Sequence, residues 1–329
     1  MMLRKILSIF LIFILFAANA LSQGALDDYR SGLEHFKKEQ CGKAMEKFNS
    51  AIAKFDEFSE AYYYRGICHF RTGRIDLAVY DYEKFKKYYK PPNEDAAVSG
   101  IFKKPVADSA YLPAFAKAYL ELGKLKAEKE NFEGAMQDYE ISISINPNDP
   151  EVYIARGMGL IGQEKFDESL ASFQNALDIN DNLPAVYTGI GIAMAALNDN
   201  SAAKEHFEKA LSVDSNYHHA YYRLGRLYSS MEDFSKAIEL IEKAIEKNEK
   251  YPEAYLAYGN CLFKMKKFKE AIKKMDKAIN LKRDFADAYE CRGNVKHEMG
   301  YTRAACADWR QARYLGITGA AEKIRNHCK

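Results

Sequence analysis

The side chains most able to do chemistry in this sequence are six cysteines and seven histidines. Six cysteines can pair into disulfides in many ways, and their order along the chain does not choose among them. No two have C-x-x-C spacing, which disfavours a zinc site. The histidines are scattered, His218 and His219 are expected on different helix faces, and no nucleophile has a base at a matching position. The sequence therefore predicts neither an enzyme nor a cofactor or metal site.

The composition indicates a folded protein with no global electrostatic preference. Of the 329 residues, 48% are hydrophobic and 29% are charged, and the formal net charge is +2. Such a small net charge gives no overall attraction to nucleic acid or to a membrane. We therefore predict no nucleic-acid partner, and any electrostatic contact with a partner must be local.

Residues 1–22 have the pattern of a secretory signal peptide. A basic start, MMLRK, precedes the apolar run ILSIFLIFILFAA, and small residues suited to cleavage follow. The apolar run has 13 residues, which is shorter than the roughly 18 or more expected of a membrane-spanning helix. We expect cleavage and a periplasmic or secreted protein, with an uncleaved anchor as the alternative.

A six-residue motif, as in AYECRG and AYLAYG, ends on a glycine that returns at a fixed interval. The glycines are Gly32, Gly66, Gly123, Gly157, Gly191, Gly225, Gly259 and Gly293. Every interval is 34 residues except one of 57, which is one period of 34 plus an insert of 23. A constant period of this size indicates a stack of structural repeats.

The residues that follow each glycine also keep register. In the last repeat Gly293 is followed by a small residue, Ala305, then by a large one, Trp309, and then by Ala312. Glycine within a helix costs about 1 kcal/mol relative to alanine, so its recurrence needs a physical cause. We infer that two helices approach backbone to backbone at the glycine and the alanine, while the large side chain fills the gap beside them.

These residues resemble tetratricopeptide repeats, helix-turn-helix units of 34 residues with glycine, alanine, an aromatic residue and alanine at positions 8, 20, 24 and 27. The resemblance covers 25–92 and 116–319, separated by an insert at 93–115 and followed by an expected capping helix at 320–329. It implies an all-α, right-handed superhelical solenoid of about eight units. The segment ACADWRQARYLG also resembles the closing unit of exported bacterial members of this family. The repeats begin at Ala25, Ser59, Ala116, Pro150, Pro184, His218, Pro252 and Ala286.

This architecture suggests how the cysteines pair. Cys306 begins the last repeat helix and Cys328 ends the cap, so a bridge between them would hold the cap to the solenoid. The first helices of neighbouring repeats face each other, as do a second helix and the first helix that follows it. We therefore predict three local bridges: Cys306 with Cys328, Cys261 with Cys291, and Cys41 with Cys68. The alternative is that Cys68, Cys261 and Cys291 are buried thiols that behave as small apolar residues.

The resemblance also implies a concave groove, formed by the first helix of each repeat, that usually holds an extended peptide or a partner's helix. In this family, positions 2, 5, 9, 12 and 13 of each repeat face the groove. The expected groove residues are apolar in the middle repeats and more polar toward the C-terminus: Ile154, Met158, Ile161, Ile192, Tyr222, Arg226, Asn260, Phe263, Asn294 and His297. A ligand with an apolar segment and a polar end would suit such a groove.

Asn260 and Asn294 share position 9 of neighbouring repeats, so the two amides are expected side by side. An amide donates and accepts hydrogen bonds, and the pair resembles the asparagine ladder by which some family members hold peptide backbones. The alternative is a solvated pair. The clamp of the chaperone-binding subfamily is incomplete, because Leu256, Glu290 and Cys291 stand at its other positions, and a chaperone-tail function is rejected.

Charge is uneven along the repeats. The fourth repeat has 2 basic and 6 acidic residues, whereas the seventh, at 252–285, has 9 basic and 4 acidic residues. The lysines of the seventh repeat either decorate a solvated helix face or contact a membrane or another anionic surface, a polysaccharide or an acidic partner. The insert at 93–115 either fills the groove as a plug or bridges two repeats.

We therefore predict a non-catalytic scaffold or adaptor that binds a peptide or protein segment in the groove, in the bacterial envelope or outside the cell. The alternative function is a binder of glycan or cell-wall fragments through aromatic and asparagine side chains. The sequence leaves the identity of the partner and the oligomeric state open.

Overall fold

The computed structural model describes residues 23–89 and 112–328. The expected signal peptide and most of the insert lie outside the described residues. The two alternatives for the insert, a plug in the groove or a bridge between repeats, concern that part of the chain. Within the described part the chain is all α-helical, and no strand occurs there. No helix of that part is both long and apolar enough to cross a bilayer.

Seventeen helices are present in the described residues. They are α1, described over 23–37, α2 (Cys41–Lys54), α3 (Ser59–Arg71), α4 (Ile75–Tyr88), α5 (Leu112–Glu128), α6 (Phe132–Ile145), α7 (Pro150–Gly162), α8 (Phe166–Ile179), α9 (Pro184–Ala196), α10 (Asn200–Val213), α11 (His218–Ser230), α12 (Phe234–Lys247), α13 (Pro252–Lys264), α14 (Phe268–Leu281), α15 (Ala286–Glu298), α16 (Thr302–Tyr314) and α17 (Ala320–His327).

The helices follow the 34-residue period. A first helix begins at the expected start of six repeats, among them Pro184 and Pro252, where proline at the first helical position needs no N–H donor. The other two are α1, which is helical from residue 23, before Ala25, and α5, which begins at Leu112, before Ala116. The final helix, Ala320–His327, coincides with the expected cap. The fold is an all-α repeat solenoid, as the sequence predicts.

The chain divides into two compact units, Met1–Gly159 and Leu160–Lys329, called here the N-terminal and C-terminal units. In the N-terminal unit α4 packs directly on α5, so the two repeats on either side of the insert stack without interruption. Tyr63, Phe85 and Leu122 share one core there. In the C-terminal unit each first helix also contacts the next first helix, so that α9, α11, α13 and α15 form a continuous row.

The close approach expected at the repeat glycines is confirmed at seven of the eight. A Cβ atom added to Gly123 would lie 2.5 Å from a ring carbon of Tyr139 and 3.2 Å from the carbonyl oxygen of Ala135. Carbon atoms do not approach that closely, so alanine cannot replace this glycine without a shift of the ring. The same contact pairs Gly32 with Phe48, Gly66 with Tyr82, Gly191 with Phe207, Gly225 with Ile241, Gly259 with Met275, and Gly293 with Trp309.

The turn between the two helices of each repeat has one residue in the left-handed conformation. Its φ angle lies between 58° and 80° in all eight repeats. The residues are Glu39, Gly73, Glu130, Glu164, Asn198, Glu232, Lys266 and Gly300. A left-handed residue other than glycine costs roughly 1 to 2 kcal/mol, which the packed helices on both sides must offset. The sequence gives no sign of this conformation, because six of the eight residues are not glycine, the residue that usually marks it.

Buried aspartates form a second recurring layer. The Arg65 guanidinium donates to both carboxylate oxygens of Asp81, at 2.9 and 2.6 Å, and Arg292 donates to Asp308 at the same two distances. Each arginine also donates to the preceding repeat, to Asn49 at 2.7 Å in one case and to Asp276 at 2.5 Å in the other. Each arginine therefore ties three helices together through planar, bidentate contacts.

A third aspartate, Asp138, occupies the same repeat position with different partners. Its carboxylate lies 2.7 Å from Lys126 and 3.6 Å from Lys86, and the residue is 1% exposed. Burial raises the pKa of Asp138, and the two ammonium groups oppose that shift. Lys126 and Lys296 share position 11 of their repeats, and Lys296 lies 2.8 Å from Asp308. The period therefore places buried ion pairs as well as apolar contacts.

Gly123→Ala is expected to destabilise the protein by about 1 to 3 kcal/mol, because the added methyl group must displace the buried Tyr139 ring. Gly42→Ala is the matched control in the same unit, since a Cβ there meets no atom within 4 Å. The control is expected to be neutral or slightly stabilising. Thermal and urea unfolding followed by circular dichroism measure both variants, and equal stability of the two would contradict the close contact.

Asp308→Ala is expected to cost about 3 to 5 kcal/mol, because it leaves the Arg292 guanidinium largely buried without its bidentate partner. The double variant Arg292→Met with Asp308→Leu is expected to recover most of that loss. Asp284→Ala, at an exposed residue of the preceding turn, serves as the control and should change stability by less than about 0.5 kcal/mol. A small effect of Asp308→Ala in the same unfolding assay would show that the pair contributes little.

Candidate ligand-binding surface

The first helices of the C-terminal unit present most of the expected groove residues on one row, called here the first-helix surface (α9, α11, α13 and α15). Arg226 is exposed, Tyr222 is 8% exposed, and the others are half-buried. The half-buried residues of this unit are Ile161 at the end of α7, and Ile192, Asn260, Phe263, Asn294 and His297. Ile154 and Met158 belong to the N-terminal unit, where Met158 is 39% exposed.

A cavity of about 260 Å³ lies between α9, α10 and α11. Ile192, Ala195 and Leu227 supply apolar walls, and the side chains of Arg223 and Arg226 line the same space. Ile192 and Arg226 were expected groove residues from their repeat positions. Arg223 was missed, because position 6 is not among the family's groove positions.

The two arginines of this cavity lie on α11 beside the ring of Tyr222. Arg223 lies with its guanidinium carbon 5.6 Å from the centroid of the Tyr222 ring, and Arg226 lies 6.0 Å from it. In the described part of the chain, neither guanidinium has a carboxylate oxygen within 4.0 Å. The cavity therefore combines apolar walls with two cations that have no anionic partner among the described residues.

The histidine pair at the start of α11 departs from expectation. The rings of His218 and His219 lie 4.1 Å apart and both contact Tyr251, whereas different helix faces were expected from the sequence. His218 is the first residue of α11, and its ring lies 3.2 Å from Asn248, which follows α12. Burial, together with His218 and Arg223, lowers the pKa of His219 to about 4, and burial also lowers the pKa of His218. Both rings are therefore neutral near pH 7.

The two asparagines of the expected ladder have partners within the chain. The Asn294 carbonyl oxygen accepts from the Trp309 indole N–H and from the Lys323 ammonium group, each at 3.0 Å. The Asn260 side chain lies beside Cys291, where it opposes the rise that burial causes in the pKa of that thiol. The ladder arrangement therefore stays a prediction, with only part of each amide available to a ligand.

The capping helix α17 covers the last part of the first-helix surface. Lys323 donates to Glu290 at 2.9 Å as well as to Asn294, and the His327 ring lies 4.4 Å from His297. Trp309 lies beside both histidines. His297 therefore packs under the cap, so this expected groove residue supports the end of the solenoid.

The cysteines divide into one close pair and four free thiols. The Cys306 and Cys328 sulfur atoms are 1.99 Å apart, with their Cα atoms 5.7 Å apart, at the expected junction between the cap and the last repeat. Cys41, Cys68, Cys261 and Cys291 are free in the structure.

The predicted bridges Cys261–Cys291 and Cys41–Cys68 are therefore absent. Cys261 is turned to the preceding repeat and donates to Ser229 at 3.5 Å, and Cys291 faces Asn260 instead. Cys68 is fully buried, and neither it nor Cys41 is joined to another sulfur. Burial raises the pKa of Cys68 and raises that of Cys291 to about 11, so both stay protonated. Cys68 and Cys261 fit the alternative of buried thiols.

No group of three or more His, Cys, Asp or Glu side chains within 23–89 and 112–328 converges in a way that could hold a metal ion. The cavity between α9, α10 and α11 offers apolar contact and ion pairing together.

Comparisons with known proteins agree with the fold. Family models described as tetratricopeptide repeats match residues 29–88 and 116–149, and one described as TPR repeat matches 259–300. A model described as anaphase-promoting complex, cyclosome, subunit 3 matches 197–278. No curated protein matches the chain.

Solved structures resemble the chain over most of its length at low sequence identity. A tetratricopeptide repeat protein from Parabacteroides merdae is 16% identical with a TM-score of 0.69. The matched region covers 83% of this chain and 99% of the Parabacteroides chain. The Cut9–Hcn1 hetero-tetramer of the APC/C is 12% identical with a TM-score of 0.57, covering 93% and 76%. A TPR protein from Thermus thermophilus is 17% identical with a TM-score of 0.51, covering 55% and 98%. The repeat register, the glycine contacts and these matches together show that the chain belongs to the tetratricopeptide repeat family.

Proposed function

We propose that the protein is a non-catalytic scaffold that binds a peptide or protein segment on the first-helix surface of its C-terminal unit. The observation that supports this most is the cavity of about 260 Å³ between α9, α10 and α11, which opens on that surface beside the exposed Arg226. Tetratricopeptide repeat proteins generally act as protein-binding scaffolds without catalysis, and no catalytic arrangement is seen among the described residues.

The size of the cavity favours a peptide over a compact small molecule. Pockets that enclose drug-sized ligands are usually about 300 to 1,000 Å³, and this one is smaller. It has room for one or two side chains, while the rest of an extended segment would lie along the row of half-buried residues. Those residues continue to Asn260 and Phe263 on α13. A bound segment that lies across several first helices would make many weak contacts in place of one deeply buried contact.

The scaffold is proposed to act in the bacterial envelope or outside the cell. The signal pattern at 1–22 supports export. The pairing of Cys306 with Cys328 fits an oxidising compartment, since disulfides persist there and are rare in the cytosol. A bridge in that place would hold the capping helix over Trp309 and keep the end of the solenoid closed.

Export and the bridge are tested by mapping peptides of the secreted protein without reductant. We expect one linked pair of peptides, joining Cys306 to Cys328, and free thiols at the four other cysteines. Cys328→Ser is expected to lower the free energy of unfolding by about 3 kcal/mol, because the unfolded chain regains the freedom of the closed loop. A reduced sample is the control. Free thiols at both 306 and 328 in the unreduced protein would contradict the bridge.

The binding surface is tested by affinity capture with crosslinking from the source cell envelope, with the full mature chain as bait. Ala195→Phe is expected to fill the cavity and to abolish capture of the partner. Leu197→Phe is the matched control, because Leu197 ends the same helix, is 46% exposed and does not line the cavity. Circular dichroism checks that both variants fold.

Capture that Ala195→Phe leaves unchanged would place the partner on another surface. Retention of the wild type on immobilised glycan, with no protein captured, would favour the binder of glycan or cell-wall fragments.

A further inference from the structure

We propose that the cavity between α9, α10 and α11 recognises a carboxylate with an apolar side chain beside it, in an acidic segment of a partner protein. Arg223 and Arg226 would hold the carboxylate. The inference rests on the proposed function and names the chemistry of the ligand at the same surface.

The first step is the state of the two arginines. Arg65 and Arg292 each reach an aspartate at 2.6 Å, and Lys236 and Lys243 share Glu239 at 2.7 and 2.9 Å. Arg223 and Arg226 have no such partner in the described part of the chain, and unlike the unpaired cations of exposed helix faces they line a cavity with apolar walls. Two guanidinium groups at i and i+3 on one helix repel each other, and a bound carboxylate would remove that repulsion.

The second step is how the two guanidinium groups are positioned. Both lie near the Tyr222 ring, at 5.6 and 6.0 Å from its centroid, and the ring is itself held at 5.0 Å from the Tyr251 ring. Tyr222 is 8% exposed, so it is a fixed support. A nearby aromatic ring limits the orientations of a guanidinium, whose planar N–H donors suit two-point contact with a carboxylate.

The third step is the apolar wall. Ile192, Ala195 and Leu227 line the same cavity as the two arginines, and Phe207 closes it from α10. An inorganic anion would leave this wall in contact with water, whereas a leucine or phenylalanine beside the carboxylate would cover it. Low-dielectric walls also strengthen the ion pair by limiting screening. Charge and shape together therefore favour an acidic-apolar peptide over a free anion or a lipid surface.

The test uses the full mature chain and three sets of fluorescein-labelled ten-residue peptides that share the same leucine and phenylalanine residues. The first set contains aspartate and glutamate with an amidated C-terminus. The second has asparagine and glutamine in their place, also amidated. The third is neutral but has a free C-terminal carboxylate. Fluorescence anisotropy measures the affinities, and comparison of the first and third sets separates a side-chain carboxylate from a chain terminus.

We expect the first set to bind about tenfold more tightly than the second. Tighter binding of the third set than of the first would overturn the acidic segment in favour of a chain terminus. The double variant Arg223→Gln with Arg226→Gln is expected to abolish the difference between the first two sets, while Arg283→Gln with Arg310→Gln, at two exposed arginines outside the cavity, preserves it. Peptides with serine in place of the apolar residues are expected to lose affinity as well. Circular dichroism checks the fold of both double variants.

Equal binding of neutral and acidic peptides, unaffected by Arg223→Gln with Arg226→Gln, would overturn the inference and leave the proposed function standing if Ala195→Phe still abolished capture. Binding of acidic peptides that survives in the double variant would also overturn it, since the carboxylate would then lie elsewhere. Failure of all three sets together with capture that Ala195→Phe leaves unchanged would remove both the inference and the proposed function.

Discussion

The contact on which the rest of the structure depends is the approach of the two helices of each repeat at a glycine. With hydrogen in place of a methyl group, the first helix comes close enough for the ring of Tyr139 or Trp309 to lie against its backbone. That contact fixes the distance and the register between the paired helices. Every other feature of the solenoid, including the row of first helices, repeats because this contact repeats.

Polar groups add the specificity that apolar packing lacks. Small and large apolar residues can pack in more than one register, whereas the bidentate contacts of Arg65 and Arg292 are satisfied only when three helices take their proper places. The cap uses the same principle, since Lys323 finds its partners only when α17 lies over the last repeat. The buried ion pairs thus favour one register of neighbouring helices within each unit.

The proposed site follows from where the repeat pattern is broken. A strictly periodic surface would offer the same contacts on every first helix and would discriminate poorly among partners. Arg223 and Arg226 interrupt the period on α11 alone, beside small residues of α9 that leave a cavity. The fold supplies the row of helices, and departures from the repeat give that row a particular ligand chemistry.

The sequence by itself determined the repeat architecture, because a 34-residue period with glycine, alanine and aromatic residues in register indicates stacked helix-turn-helix units. It also predicted Ile192 and Arg226 as surface residues, which line the cavity, and the pairing of Cys306 with Cys328. Only the tertiary structure decided which thiols stay apart and which amides are already engaged, because those depend on side-chain direction between repeats. The left-handed turns and the cavity lined by two arginines could not be predicted from the sequence either, since neither follows from the spacing of like residues along the chain.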